Sequence, residues 1–445
     1  MGHHRIPGTD LQYGLIAYDG GGVERSEANG LFSKELIGEI EKGAVSDVFF
    51  FSHGWKGDIP AAIDQYDRWI GALVKSTDFA GARERLSPFH PLFIGLHWPS
   101  EPWGDEEARA DGSFSATRSN SGPDILAQYL ARLGDTPEIR ALLEVILLEA
   151  RRNIAPASLP ATVRQAYLDL NAALGLRSDG VAAPPDADRE QFNPDDAFDA
   201  GNQDDIAFGG VNLGGILGPL RQLSYWTMKK RARTIGEGGM HNFLLEAQTA
   251  SRESDTRIHL MGHSFGTIVV SAMLGGKGAQ GKLQRPVDSV TLIQGAVSLW
   301  CYAPNIPFHN AGRGYFSRIL SDGKISGPLI TTQSRFDKAV GRLYPLASQI
   351  YGTPSFENQL PEYGAIGAYG LQGLDESIQS DIRMLPAGGE YKFATAKVYN
   401  LESSQFICHG DGASGAHSDI AGPEVAHAIW EAAFASVHAP EEVLK

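Results

Sequence analysis

Cysteine is scarce in this sequence. Among 445 residues only Cys301 and Cys408 occur. That excludes a disulfide-stapled secreted scaffold and any cysteine-rich metal module, and two free thiols in a reducing compartment is the expectation. Long apolar runs are also missing. No stretch approaches the ~20 residues of a membrane-spanning helix. The opening residues, Met1-Gly2-His3-His4-Arg5-Ile6-Pro7, lack the apolar core of a signal peptide. These absences predict a soluble, cytoplasmic chain with no integral membrane segment, and His3-His4 reads as a solvated terminus. Positive charge is in deficit: 38 Lys and Arg against 53 Asp and Glu leave a formal charge of −15. Repulsion then excludes nucleic acid and anionic membrane surfaces as partners.

Metal and phosphate motifs are missing in the same way. Gly20-Gly21-Gly22 is followed by no Lys-Ser or Lys-Thr, so it reads as a turn and not as a phosphate loop. The acidic stretch 179–205 lacks the spacing of a calcium loop and reads as a solvated loop. The expectation is therefore no metal and no cofactor.

What the chain does have is Arg257-Ile258-His259-Leu260-Met261-Gly262-His263-Ser264-Phe265-Gly266-Thr267-Ile268-Val269-Val270. An apolar run ends in Gly262-x-Ser264-x-Gly266, and a second apolar run with helical character follows at once. In a chain with 52 glycines such a pentapeptide arises by chance, so its setting decides. Strand before and helix after make it a nucleophile elbow. The turn strains the Ser264 backbone, and Gly262 and Gly266 let strand and helix approach closely. The hydroxyl then stands above the sheet. The N–H of Phe265, at a helix N-terminus, is placed to stabilise an oxyanion.

Through these residues the chain resembles the α/β-hydrolase superfamily, in its lipase and esterase style. The resemblance implies a mostly parallel sheet flanked by helices and a triad in the order Ser, Asp or Glu, His. It also bears on residues 47–55. That run, Asp-Val-Phe-Phe-Phe-Ser-His-Gly-Trp, is a buried strand ending in His-Gly. In this superfamily His-Gly after the third strand commonly begins the oxyanion loop. The resemblance therefore implies the N–H of Trp55 as second oxyanion donor, with Lys56 the alternative, while His53 braces the loop.

The remaining chain divides by pattern. Strands are expected at 11–19, 91–98, 288–297, 328–334 and 397–401, and helices at 31–42, 59–75, 240–250 and 423–435. Between about 100 and 215 no strand pattern appears. Helices are expected there at 125–133, 139–151, with Leu142, Leu143, Ile146 and Leu147 as an apolar stripe, and 163–174. By resemblance this insertion, 101–215, is a cap between core segments 1–100 and 216–445. The run Lys229-Lys230-Arg231-x-Arg233 reads as charge complementing a helix C-terminus.

A serine hydroxyl needs a neutral imidazole, and the imidazole needs a carboxylate to fix its tautomer. Asp337 follows a strand and precedes a helix-like segment. It fits the acid, and a helix N-cap is the bland alternative. Asp288 precedes its strand, Asp322 reads as a turn, and Asp411 is a further rival. His409 and His417 share the glycine-rich loop after the last strand. Gly415-x-His417-Ser418-Asp419 resembles the histidine loop of bacterial lipase-like hydrolases, phospholipase effectors included. His417 is expected to be the base, with Ser418 and Asp419 bonding the N–H groups of the final helix. A metal set of His409, Asp411, His417 and Asp419 is the competing reading, and no zincin or cysteine motif supports it. The functional expectation is a serine hydrolase acting on a small-molecule or lipid-like ester. An amidase or peptidase on the same residues, and a non-catalytic binding protein of this fold, are the alternatives. Oligomeric state leaves no trace in the sequence.

Overall fold

The computed structural model describes residues 2–27, 30–54, 58–100, 125–152, 156–181, 183–203, 215–308, 312–343, 360–410 and 414–437. Nine strands form one sheet: β1 Gly2–Arg5, β2 Gln12–Ala17, β3 Asp47–Ser52, β4 Pro91–His97, β5 Arg257–His263, β6 Ser289–Ile293, β7 Leu329–Gln333, β8 Gln379–Arg383 and β9 Val398–Glu402. Their order across the sheet is β1-β2-β4-β3-β5-β6-β7-β9-β8. The β1–β2 pair is antiparallel, and the other neighbours run parallel. The fold is α/β, with helices on both faces of this sheet.

The central strands are continuous apolar runs because both their faces are covered. In β3 every residue is buried. Alternation assigns its side chains to opposite faces. Phe49 meets Trp430 and Phe51 meets Trp69, on the side of helices Ile59–Lys75 and Pro423–Ala435. Phe50 meets Phe243 of helix His241–Ala250 on the other side. Asp58 caps the Ile59–Lys75 helix by accepting the Ala61 N–H at 2.9 Å. In register Phe50 pairs with Leu260 of β5 and Ile94 of β4, so the apolar rows continue across the sheet.

Residues 125–203 form helices Ile125–Leu133, Pro137–Arg152, Ala161–Ala173 and Pro194–Gln203. The inward stripe Ile139, Leu143 and Ile146 packs with Tyr167 and Leu170. Helix Gly218–Ile235 then continues through a wider turn, Gly236–Met240, into His241–Ala250 and down to β5. The wide turn holds glycines where the elbow helix comes close: a Cβ on Gly236 would lie 2.5 Å from Ala272 Cβ. No described helix is long and apolar enough to cross a membrane.

Several expectations need correction. The described residues of the stretch 179–205 are not a solvated loop: Asp186, Asp188 and Arg189 are buried, and a helix starts at Pro194. The basic run does not end a helix, because the helix carries on. Instead Arg233 forks Asp186 with bonds of 2.5 and 3.1 Å, Arg231 donates to the carbonyls of Pro99 and Arg132, and Lys230 donates to that of Leu174. Burial brings Lys229 down to about 8. His3 and His4 lie in edge strand β1, with His3 Nε2 3.4 Å from Glu35 and Glu39. Strand β8 was not expected at all.

Candidate functional site

Strand β5 delivers Ser264 to the C-terminal edge of the sheet. The turn is tight in a measurable way: Ser264 has φ 56°, a conformation that costs a non-glycine residue about 1–2 kcal/mol. Close approach demands the flanking glycines. A Cβ on Gly262 would sit 2.5 Å from Gly266 O, and one on Gly266 would sit 2.1 Å from Ser52 O. Backbone bonds hold the strained residue. Ser264 N donates to Ile293 O, while Ser264 O accepts from the N–H and hydroxyl of Thr267 and from Ala296 N.

His417 lies in the short turn Ala416–Ser418. Its Nε2 is 2.8 Å from Ser264 Oγ, and its Nδ1 is 2.7 Å from Asp337 Oδ2. The hydrogen-bond network assigns the proton to Nδ1, since the buried carboxylate only accepts; Nε2 then accepts from the serine hydroxyl. Asp337 is 1% exposed. Its Oδ1 accepts the N–H of Val340 at 3.1 Å, as a helix N-cap does, while Oδ2 faces the imidazole.

Two loops distant in sequence are joined by backbone here. Asp337 and Gly415 form an antiparallel bridge, and Ala416 N donates to Phe336 O at 2.9 Å. Gly415 has φ 55°, and a Cβ there would lie 2.3 Å from Phe336 O. The carbonyl of His417 accepts from His263 Nε2 at 2.8 Å, and His263 Nδ1 faces Gln65 Nε2 at 3.1 Å. His417 is thus fixed at its ring and at its backbone.

Gln294 belongs to no motif and was not singled out from the sequence. It follows β6, is fully buried and has φ 44°. Its Nε2 donates to Asp337 Oδ2 at 2.8 Å, and its Oε1 accepts from Thr332 at 2.9 Å. The available signal was an amide at a strand end directly before Gly295, next to the elbow strand.

Phe265 is the N-cap of helix Gly266–Gly275, as expected of an elbow. Its ring meets Tyr225 of the Gly218–Ile235 helix edge-on at 5.1 Å. Burial, then the charges of Asp188 and Asp337, push the Tyr225 phenol well above its usual value, so its hydroxyl stays neutral. Trp55 and Lys56 lie outside the described residues. The loop leading to them abuts the serine: a Cβ on Gly54 would fall 2.3 Å from Ser264 Cβ. His53 braces that loop, with Nδ1 2.8 Å from Gly54 O and its ring stacked on Trp98. Burial holds neighbouring His97 down at about 4.

The rivals go elsewhere. His409 is exposed and turned to Asp419, with Nδ1 3.2 Å from Oδ2. Asp288 accepts from Ile258 N at the start of β5, the opposite end of the sheet. Asp322 follows helix Arg318–Ser321 at a turn completed by Gly323. Asp411 lies outside the described residues. Asp419 does not bond the final helix; it accepts from Cys408 N and His409 N, closing the loop on itself. The proposed metal set is divided, because His417 is committed to Ser264 and Asp337. A cavity of about 800 Å³ opens among Ser46, Phe89, His90 and Arg257, at the strand starts and away from Ser264. Ligands of open parallel sheets bind at strand ends, so that cavity is not the site.

The arrangement can deprotonate a serine hydroxyl without metal or cofactor, provided an acyl group reaches it. No family model, no curated protein and no solved structure matches the chain.

Proposed function

We propose that the chain is a serine hydrolase of the α/β-hydrolase type that cleaves carboxylic esters through an acyl-enzyme. The observation that carries this reading is the bonded series from Ser264 Oγ through His417 to Asp337, with contacts of 2.8 and 2.7 Å. Its members follow β5, β7 and β9, in the chain order serine, acid, histidine. In the proposed reaction Ser264 attacks the ester carbonyl while His417 Nε2 takes its proton. Asp337 holds the imidazole and stabilises the cation that forms. The N–H of Phe265 and, by resemblance, that of Trp55 hold the tetrahedral oxyanion. His417 returns its proton to the leaving alkoxide, then activates water for deacylation.

Residues 101–215 are assigned as the cap between core segments 1–100 and 216–445. Supporting this, the helix that leaves the insertion brings Tyr225 onto Phe265, beside the nucleophile. The aromatic pair favours an acyl or aryl ester over a highly charged substrate. An amidase or peptidase would use the same residues, and a binding protein would use none of them.

A fluorophosphonate probe separates catalysis from binding. Wild-type protein is expected to be labelled at Ser264 and to hydrolyse p-nitrophenyl esters in preference to matching anilides. Ser264→Ala is expected to lose on the order of a millionfold in kcat. Labelling of the alanine variant, or turnover within about tenfold of wild type, rejects the assignment.

A further inference from the structure

The loop that carries His417 holds a second cluster of chemistry-bearing groups. Cys408 Sγ lies 3.6 Å from His409 Nδ1, and His409 Nδ1 lies 3.2 Å from Asp419 Oδ2. Donor atoms of these three residues all fall within 4.8 Å of one another. None of the three contributes to the Ser264–His417–Asp337 series. Ligands bound about 2.0–2.3 Å from a tetrahedral zinc stand about 3.3–3.6 Å apart. The thiol–imidazole and imidazole–carboxylate separations already match such an ion.

Three further observations favour a metal over a local hydrogen-bond chain. The donor set is mixed sulfur, nitrogen and oxygen, which selects zinc-like cations over magnesium or calcium. Asp419 is already oriented by the N–H groups of Cys408 at 3.0 Å and His409 at 2.8 Å, the outer support that ligating carboxylates use. The cluster is also reachable, with the His409 side chain 85% exposed and Asp419 24% exposed. A thiol–imidazole contact alone would not require the carboxylate to join.

We propose that Cys408, His409 and Asp419 form a binding site for one thiophilic divalent cation of the zinc class, with water as the fourth ligand. Binding releases the Cys408 thiol proton to solvent, and the thiolate sulfur bonds the metal. No electron is transferred. Asp419 N also donates to Ala416 O at 3.0 Å, closing the turn that holds His417. An occupied site would tie residues 408–409 to residue 419, the two flanks of the proposed base. The cation is therefore a brace for the loop, outside the bond-making itself.

Cobalt(II) and cadmium(II) added to metal-free full-length protein report thiolate ligation by an ultraviolet charge-transfer band. The expected result is one equivalent bound, displaced by zinc and unaffected by magnesium. Bound metal is expected to protect Cys408 from a thiol reagent. Cys301 does not interfere: it is buried, and burial raises its thiol well above the usual value. Cys408→Ser should abolish the band. His409→Ala, on an exposed side chain and so safe for folding, should weaken binding at least about tenfold. Ser264→Ala should bind like wild type, which keeps this test separate from the hydrolase proposal. The site is rejected by absence of the band with Cys408 freely labelled, by a band that survives Cys408→Ser, or by a half-equivalent endpoint in which two chains share one ion.

Discussion

Replacing Gln294 by methionine tests how the acid is held. Methionine matches glutamine in length and is unbranched at Cβ, so the φ of 44° is no harder for it to adopt. What disappears is the amide. Asp337 has three bonds, from His417, Gln294 and Val340 N, and loses the one at 2.8 Å from Gln294 Nε2. A hydrogen bond to a buried charge contributes about 1.5–3 kcal/mol. Thr332 also loses the amide oxygen that its hydroxyl meets. In the proposed reaction Asp337 holds the imidazolium that forms in the transition state, so the loss belongs in kcat and not in KM. At about 1.4 kcal/mol per tenfold, kcat should drop roughly 10- to 150-fold. Steady-state kinetics on one activated ester, beside a denaturation curve to verify the fold, measure it. A kcat within about twofold of wild type, or a loss confined to KM, refutes the assigned role.

Three other outcomes are expected. Gly266→Ala drives a methyl into the Ser52 carbonyl, 2.1 Å from the added carbon. Because backbone cannot yield there, denaturant unfolding should show a loss of about 3 kcal/mol or more. His417→Ala should lower kcat by several orders of magnitude while His409→Ala stays within about tenfold on the same ester; the reverse ranking would exchange the base. His97 titrates at about 4 when folded, against an unfolded value near 6.5, so the unfolded chain takes its proton first. Its stabilising contribution is full above pH ~6.5 and is lost as pH falls toward ~4. His97→Gln should flatten the stability–pH curve in that window by a few kcal/mol, roughly; unchanged curvature counts against burial as the cause.

The parts of the fold that the sequence made legible are those where side-chain burial dictates structure. Strands β3, β4 and β5 are covered on both faces and spell continuous apolar runs. The elbow is legible because its glycines answer to close approach and cannot be exchanged. Strands β1 and β8 were missed for the opposite reason. Gly2–Arg5 and Gln379–Arg383 stand at sheet edges with half or more of their residues exposed, so main-chain pairing holds them and leaves no apolar signature. The basic run was misread because its partner, Asp186, lies 47 residues away, and a local window sees only a helix turning charged. Gln294 is invisible by the same logic: its value comes from a carboxylate that another strand delivers. His417 and Asp337 could be nominated by position after strands, but their bond is a fact of three dimensions.

The bridge between Asp337 and Gly415 makes Asp337 and His417, 80 residues apart, neighbours on a two-stranded scrap of main chain. Heredity and engineering then see a single cassette. The cassette also has a footing: β9 pairs in register with β7, and Ser334 Oγ donates to Ile407 O at 2.7 Å, so the two margins are held together on both sides. Grafting the histidine loop alone into another scaffold would bring the side chain and leave its alignment behind. Transplanting Phe336–Asp337 together with Gly415–Ala416 would carry the alignment along.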